Sequence, residues 1–315
     1  MIKILLSLFL SKYIIMKNIH FTFLLAFLSI SIFSQKSTEQ LHRLPYTSTL
    51  DQANREYFIY LPKGYEDEPS KKWPVLLFLH GNGERGNGKD ELDYVMIHGP
   101  LYEAWIQKRD LPFIMIVPQL HMMGLDKTTS YIADRTRDQI PVRLEAGVPE
   151  RPGFFGTNGP MDGVIPSKTV FNMNRTPSGW DHVDQDLIHM LDETLKNYNA
   201  DNKRVYISGL SYGGFGTFHM ASKFPERFAA MNPVVGWGTP EQMESIAKAQ
   251  LPIWVFAAGY DTAVNWENFY VGLNKLKELG HKDVKFTIHE DLGHDAWKRI
   301  YGGWDIYAWL LENSK

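Results

Sequence analysis

The sequence contains no cysteine among its 315 residues. This absence excludes disulfide bonds, thiolate metal ligands, a cysteine nucleophile and a lipid attached through cysteine. An excess of basic residues is also lacking, because 36 Asp and Glu outnumber 33 Lys and Arg. The formal net charge of −3 argues against a nucleic-acid-binding protein, which would carry a clustered basic surface.

Two apolar runs set the first 34 residues apart from the rest of the chain, and they are Ile2–Leu10 and Phe21–Phe33. A short positive region followed by about 7–15 apolar residues is typical of a secretory signal. The second run follows Lys17 and fits this pattern, with cleavage after Ser34. We therefore expect residues 1–34 to be a signal peptide, with Met16 as an alternative start, and the mature protein to be secreted or periplasmic. An uncleaved anchor is the competing interpretation, but a membrane span needs about 20 apolar residues.

Beyond this segment, short apolar runs alternate with stretches of helical periodicity. Continuous apolar runs indicate parallel strands that are covered on both faces, and apolar residues at positions 187, 188, 191 and 195 follow the period of a helix. The alternation predicts an α/β fold with a mostly parallel sheet, in one domain over residues 35–315. The predicted strands are Tyr57–Leu61, Val75–Leu79, Phe113–Val117, Val205–Ile207, Ile253–Phe256 and Val284–Ile288, and the predicted helices cover 183–198, 215–223, 269–279 and 297–311.

Residues 119–180 break this rhythm, because they contain prolines, glycines and charges without a periodic pattern. A loop of this length is uncommon unless it is functional or disordered. We expect an insertion that forms a lid or a substrate wall over the active site. The alternative is a surface excursion without a function.

A candidate nucleophile lies in Gly209-Leu210-Ser211-Tyr212-Gly213, between a predicted strand and a predicted helix. This is the G-x-S-x-G pattern in the strand–turn–helix setting that its chemistry requires. The flanking glycines leave room for a sharp turn, which exposes the serine hydroxyl. We predict that Ser211 is the nucleophile of a serine hydrolase.

A serine hydroxyl needs a neighbouring base, and in this setting the chain order is serine, then acid, then histidine. His294 follows the last apolar run and is the predicted base, with His289 as its competitor. Asp261 follows the strand at Ile253 and is predicted to orient the imidazole. The rival acids are Glu267, Glu290 and Asp291.

Acyl transfer also needs N–H donors for the oxyanion. One predicted donor is the backbone N–H of Tyr212. The second is expected from the glycine-rich loop at residues 80–86, through the backbone of Asn82 or, as the second choice, Gly83. His80 of this loop is predicted to have a structural role.

The sequence also contains candidate substrate contacts. Glu84 and Arg85 of the same loop either contact substrate or pair with each other. The chain has nine tryptophans, which either pack in the core or line a pocket for ring-shaped ligands. Trp180, Trp237 and Trp266 are the candidates for a pocket, and Trp237 follows an apolar segment that we interpret as a further strand.

Two other motifs are rejected. Gly81, Gly83 and Gly86 match G-x-G-x-x-G, but Asn87 and Gly88 follow them, where a dinucleotide site would open a helix. The stretch from His289 lacks the second histidine of a zinc-protease helix, because Gly293 stands there. We expect neither a cofactor nor a metal.

With these residues in place, the chain resembles the bacterial esterases and predicted peptidases related to polyhydroxybutyrate depolymerases and feruloyl esterases. The motifs that carry the resemblance are residues 79–86, Gly209–Gly214, Gly259-Tyr260-Asp261 and Gly293-His294, and it covers roughly 55–313. It implies the α/β-hydrolase fold, the Ser-His-Asp triad and ester hydrolysis without a cofactor, in many relatives on plant or algal polysaccharides. The departure is residues 119–180, which are usually shorter in such proteins.

The leading hypothesis is a secreted serine carboxylic-ester hydrolase that acts on ester groups of polysaccharides or oligosaccharides. The first alternative is a serine peptidase on the same scaffold, since the triad is shared. The second is a carbohydrate-binding homologue that has lost catalysis. The predicted partner is a small-molecule or oligosaccharide ester, with no nucleic acid and no stable membrane span after signal cleavage.

Overall fold

A computed structural model of the chain describes residues 40–148 and 177–315. The predicted signal peptide and residues 149–176 lie outside these ranges. The strands in the described residues are β1 (Leu41–Thr47), β2 (Asn54–Tyr60), β3 (Trp73–Leu79), β4 (Ile114–Val117), β5 (Ala200–Leu210), β6 (Ala230–Val234), β7 (Ile253–Ala258) and β8 (Val284–His289). They form one eight-stranded sheet in the order β1-β2-β4-β3-β5-β6-β7-β8.

The sheet is mostly parallel. Strand β2 runs antiparallel to both of its neighbours, β1 and β4, whereas the pairs from β4 to β8 are parallel. The predicted mostly parallel sheet is therefore confirmed. The edge strand β1 was not predicted, because its burial is mixed and its run is not continuously apolar.

The α-helices of the described residues are α1 (Ser130–Ala133), α2 (Asp184–Asn197), α3 (Tyr212–Lys223), α4 (Pro240–Ala249), α5 (Phe269–Glu278), α6 (Trp297–Gly302) and α7 (Asp305–Glu312). The helix predicted over 297–311 is divided in two, because Gly303 has an extended backbone. Helix α4 was not predicted, although its sequence carries a start signal. The Thr239 hydroxyl accepts from the N–H of Gln242, and the Gln242 side chain accepts in return from the N–H of Thr239.

Both faces of the sheet are covered, which explains the continuous apolar runs. In β3, Val75, Leu77 and Leu79 join the core layer that also contains side chains of α2 to α5. Leu76 and Phe78 point to the opposite layer, which contains side chains of α6 and α7. The sheet is therefore the middle layer between two helical layers.

The described parts of the predicted insertion contain only short elements, which are α1 and single turns at Leu125–Lys127 and Arg137–Gln139. Within residues 40–148 and 177–315, no helix combines the length and the apolar character that a bilayer crossing requires.

The carboxyl ends of parallel strands lie at one edge of a sheet, where ligands bind in open α/β folds. Ser211, Asp261 and His294 follow β5, β7 and β8, and this topology brings them to the same edge.

Candidate active site

Ser211 occupies the sharp turn between β5 and α3, with φ 52° and ψ −115°. This left-handed conformation is strained for a serine, and the serine N–H is held by the carbonyl of Val234 at 2.9 Å. A Cβ added to Gly209 would lie 2.3 Å from the carbonyl oxygen of Gly213, and one added to Gly213 would lie 1.8 Å from that of Leu79. The turn therefore requires glycine on both sides of the serine.

The three residues predicted to form a triad are connected by hydrogen bonds. Ser211 Oγ lies 3.0 Å from His294 Nε2, and His294 Nδ1 lies 2.7 Å from Asp261 Oδ2. The other oxygen of the fully buried Asp261 side chain accepts from the N–H groups of Ala263 and Val264, both at 2.8 Å. Because the carboxylate accepts from Nδ1–H, Nε2 of the imidazole is the acceptor for the serine proton.

The competing residues are engaged elsewhere. The ring of His289 stacks on that of Phe256 at 6.1 Å between centroids, and burial lowers the pKa of this histidine. Asp291 pairs with Arg299 at 2.6 Å near the surface. His289 is therefore a core residue, and Asp291 belongs to a surface ion pair.

The predicted oxyanion donors lie in the same cavity as Ser211. This cavity has a volume of about 450 Å³, and its lining includes Asn82, Gly83 and Tyr212. Tyr212 begins α3, so its N–H belongs to the first helical turn, where backbone donors have no intrahelical acceptor. Asn82 begins a single turn of 3-10 helix after β3.

The loop that carries Asn82 is held by buried polar contacts. Leu120 N–H donates to His80 Nε2 at 2.8 Å, and the Gln119 amide donates to the Glu84 carbonyl at 2.9 Å. Burial lowers the pKa of His80 to about 3, so the ring is neutral near pH 7. The structural role predicted for this histidine agrees with these contacts.

Arg85 contacts both segments that carry the predicted donors. Its side chain is buried, and Nε donates to Asn82 Oδ1 at 2.6 Å. Its guanidinium also lies over the Tyr212 ring, 4.8 Å from the centroid, and donates to the carbonyl of His121 at 3.0 Å. Arg85 is thus placed behind the cavity wall rather than in it, and it does not form the predicted pair with Glu84.

Glu84 lies in the cavity wall and is only 5% exposed. One carboxyl oxygen lies 3.8 Å from His98 Nε2, and the other lies 3.8 Å from His80 Nδ1 and makes no hydrogen bond. Burial raises the pKa of Glu84 to about 7, and burial lowers that of His98 to about 4. The wall therefore presents a carboxyl group that is protonated in a large fraction of molecules at neutral pH.

Of the three tryptophans predicted as substrate contacts, Trp237 lines the cavity. Its ring meets that of Phe215 edge-on at 5.1 Å. Trp180 is instead 2% exposed and packs edge-on against His80 at 5.0 Å, in the space left by Gly216. Trp266 packs against Tyr270 at 5.8 Å, outside the cavity lining. The structure therefore does not bring Trp180 and Trp266 to the site.

The cavity is also lined by His98, Tyr131 and Trp297, none of which was predicted from the sequence to be a site residue. Trp297 stands three residues after His294, and this spacing places both on one side of a helical turn. The sequence could therefore have predicted that Trp297 lies near the site. Tyr131 belongs to the predicted insertion, and its hydroxyl is hydrogen-bonded to the Asn82 amide. His98 has no comparable signal, because it follows a segment without clear periodicity.

Arg135 joins the predicted insertion to the loop at residues 80–86, which carries the predicted oxyanion donor and is called the oxyanion loop below. Its guanidinium donates to the carbonyl of Gly83 at 3.0 Å and also to that of Arg85. The same side chain pairs with Glu91 at 2.7 Å.

In the part of the chain that the structure describes, no group of three or more His, Cys, Asp or Glu is arranged to hold a metal ion.

Comparisons with known proteins agree with this fold. The profile of the prolyl oligopeptidase family matches residues 180–255, which include the Ser211 turn. The chain is 39% identical over 67 residues to a bifunctional acetylxylan esterase/xylanase of Neocallimastix patriciarum, covering 21% of this chain and 9% of that protein. It is 30% identical over 117 residues to acetylxylan esterase A of Aspergillus ficuum, covering 27% of this chain and 39% of that protein. The chain thus spans less than half the length of these two relatives.

Among solved structures, a thermostable esterase is similar over 88% of this chain and 64% of that chain, with a TM-score of 0.58 and 26% identity. The chain therefore has the predicted α/β-hydrolase fold. The predicted resemblance to esterases of this superfamily is confirmed by these similarities.

Proposed function

We propose that this protein is a secreted serine carboxylic-ester hydrolase that acts on ester groups of polysaccharides or oligosaccharides. The observation that carries the proposal is the hydrogen-bonded series Ser211–His294–Asp261, which opens into a cavity of about 450 Å³. The strained serine turn supports it, since such strain is commonly stored at functional sites.

In the proposed reaction, Ser211 Oγ attacks the ester carbonyl while His294 Nε2 takes its proton. The backbone N–H groups of Tyr212 and of Asn82 or Gly83 bind the oxyanion. His294 then returns the proton to the leaving alcohol as the acyl-enzyme forms. Water attacks the acyl-enzyme with His294 again as base, and the acid is released.

The substrate class is proposed from the relatives and from the cavity wall. The two curated relatives described above are named as acetylxylan esterases. The aromatic side chains of Tyr131, Trp237 and Trp297 line the cavity, and aromatic surfaces suit ring-shaped ligands. Tyr131 and Pro177 belong to residues 119–180, which supports the proposal that this insertion forms a substrate wall.

Secretion is proposed from the sequence of residues 1–34. A signal peptide would release a mature domain of residues 35–315 outside the cytoplasm. The extracellular or periplasmic location would give access to polysaccharides that do not enter cells. Mass spectrometry of the mature N-terminus checks this part of the proposal.

A serine peptidase is the second candidate, and the match to the prolyl oligopeptidase family over residues 180–255 favours it. An amide differs from an ester in its leaving group, because an amine must be protonated before it departs. Hydrolysis rates of an ester and an amide with the same acyl group separate the two candidates. An ester hydrolase will cleave the ester and leave the matched peptide-like amide almost intact.

Labelling with a fluorophosphonate tests the nucleophile directly. We expect one label on Ser211, located by peptide mass spectrometry, and no label in a folded Ser211→Ala variant. Release of acetate from acetylated xylo-oligosaccharide by the unaltered protein, but not by the variant, tests the substrate class. Folded protein that neither reacts nor releases acetate would contradict the proposal and favour a carbohydrate-binding homologue without catalysis.

A further inference from the structure

A second cavity of about 260 Å³ adjoins the active-site cavity, and we call it the side cavity. It lies between residues 97–103 and residues 297–301 of α6. His98 and Trp297 line both cavities, and their ring centroids are 5.4 Å apart. The two cavities therefore lie side by side and share these two residues.

The side cavity lies close to His294, the predicted base, because Trp297 lines the cavity and contacts the imidazole. The leaving oxygen receives its proton from His294 Nε2, so the alcohol must lie next to this imidazole. The Trp297 ring meets the His294 ring edge-on, at 5.1 Å between centroids and 89° between planes. Trp297 therefore lies next to both the imidazole that would protonate the alcohol and the side cavity.

The walls of the side cavity combine aromatic and charged groups. Tyr102 and Trp297 contribute aromatic rings, while Glu103 is paired with Arg109 at 3.2 Å and Lys298 with Asp295 at 2.8 Å. The indole N–H of Trp297 is buried and has no hydrogen-bond partner, and buried polar groups of this kind are usually satisfied. A pyranose ring offers apolar C–H faces for the aromatic rings and hydroxyl groups for the polar ones.

The size of the side cavity restricts the ligand to one ring. Pockets for drug-sized molecules have volumes of about 300–1,000 Å³, and the side cavity is slightly smaller than this range. We propose that it is a subsite for one sugar ring of the leaving alcohol. This proposal rests on the proposed ester hydrolysis and names the part of the substrate that the site selects.

Two acetate esters with different alcohols test the subsite, because only one of them carries a sugar. The probes are acetylated xylo-oligosaccharide and p-nitrophenyl acetate. Ile97 is half-buried and lines the side cavity but not the active-site cavity, so Ile97→Trp should fill the subsite. We expect the ratio of kcat/KM for the oligosaccharide to kcat/KM for the aryl ester to fall about tenfold, mainly through KM.

A second variant keeps the test valid if Ile97→Trp does not fold. Lys298 is 62% exposed at its side chain, so Lys298→Ala should fold, and the same ratio should fall severalfold. The matched control is Leu279→Trp, which adds the same bulk at an exposed position outside both cavities and should leave the ratio unchanged.

The outcomes are distinguishable. Hydrolysis of both esters with an unchanged ratio in Ile97→Trp and Lys298→Ala would overturn the subsite and leave the proposed function standing. Failure of the unaltered protein to hydrolyse either ester would contradict the proposed function itself, and the subsite with it. A lower ratio in both variants, but not in the control, supports the subsite.

Discussion

The guanidinium of Arg85 lies over the ring of Tyr212, 4.8 Å from its centroid, while its Nε donates to the Asn82 side chain at 2.6 Å. One buried cation thus contacts the residue after the nucleophile and the loop that faces it. These are the two segments whose N–H groups we propose as oxyanion donors. We therefore predict that Arg85 is a positioning residue, which acts on the reaction through Asn82 and Tyr212.

Replacement of Arg85 by Lys should lower kcat by about 10- to 100-fold and leave KM nearly unchanged. Lysine keeps the charge but lacks the planar fork that reaches several acceptors, and a misplaced oxyanion donor acts on the transition state. The rate should be expressed per active site, by titration with a fluorophosphonate, so that unfolded protein does not contribute. A normal kcat per labelled site would show that Arg85 has only a structural role.

Asp261→Asn should reduce kcat by about 10³- to 10⁴-fold. An amide that keeps its oxygen on the N–H groups of Ala263 and Val264 turns its NH₂ group toward His294. The imidazole must then accept at Nδ1, which leaves a proton on Nε2 and removes the base. Asp291→Asn is the matched control, because this exposed acid pairs with Arg299, and its kcat should stay within twofold of the unaltered enzyme.

Glu84→Gln should change how stability depends on pH. Burial raises the pKa of Glu84 from 4.5 to about 7, so the folded state between these pH values holds a proton that the unfolded state releases. This carboxyl therefore lowers the free energy of unfolding as pH rises through that window, by roughly 1–3 kcal/mol. We expect the free energy of unfolding of the glutamine variant, relative to that of the unaltered protein, to increase from pH 5 to pH 8 and then to level off.

Urea unfolding of both proteins at several pH values measures this difference. The comparison is needed because burial lowers the pKa of His80 to about 3 and of His98 to about 4. These histidines make both proteins lose stability as pH falls below about 6.5. A difference that stays constant from pH 5 to pH 8 would contradict the elevated pKa of Glu84.

Arg135→Met should lower the free energy of unfolding by about 2–3 kcal/mol, because the carbonyl of Gly83 loses a donor and Glu91 loses its ion-pair partner. It should also lower kcat, since the loop carries a proposed oxyanion donor. Arg137→Met is the matched control in the same segment. Its side chain is 64% exposed, so its loss should cost at most about 1 kcal/mol. Equal effects of the two variants would show that Arg135 does not hold the loop.

The mostly parallel sheet, and the positions of Ser211, Asp261 and His294 after its strands, could be predicted from the sequence for a physical reason. Strands covered on both faces leave continuous apolar runs, and parallel strands place their carboxyl ends together. The residues after β5, β7 and β8 are therefore neighbours in space although they are far apart in the chain. The glycines around Ser211 add a local signal, since no other residue fits that turn.

The walls of the cavity could be predicted much less well. Trp180 and Trp237 are equally apolar, yet one fills the core beside His80 and the other lines the cavity. Their difference depends on tertiary packing, which composition does not record. The position of Arg85 could not be predicted for the same reason. Its guanidinium donates to the backbone carbonyl of His121, an acceptor that any residue type would provide.

The contact between Arg135 and the carbonyl of Gly83 has a consequence for how such an enzyme changes its specificity. Because the proposed substrate wall is also hydrogen-bonded to the oxyanion loop, we expect that it cannot be exchanged independently of catalysis. A shorter or longer insertion that displaced Arg135 would alter turnover together with substrate choice. Divergence among enzymes with this arrangement should therefore proceed by side-chain changes along the wall, such as at Tyr131, more readily than by exchange of the whole segment.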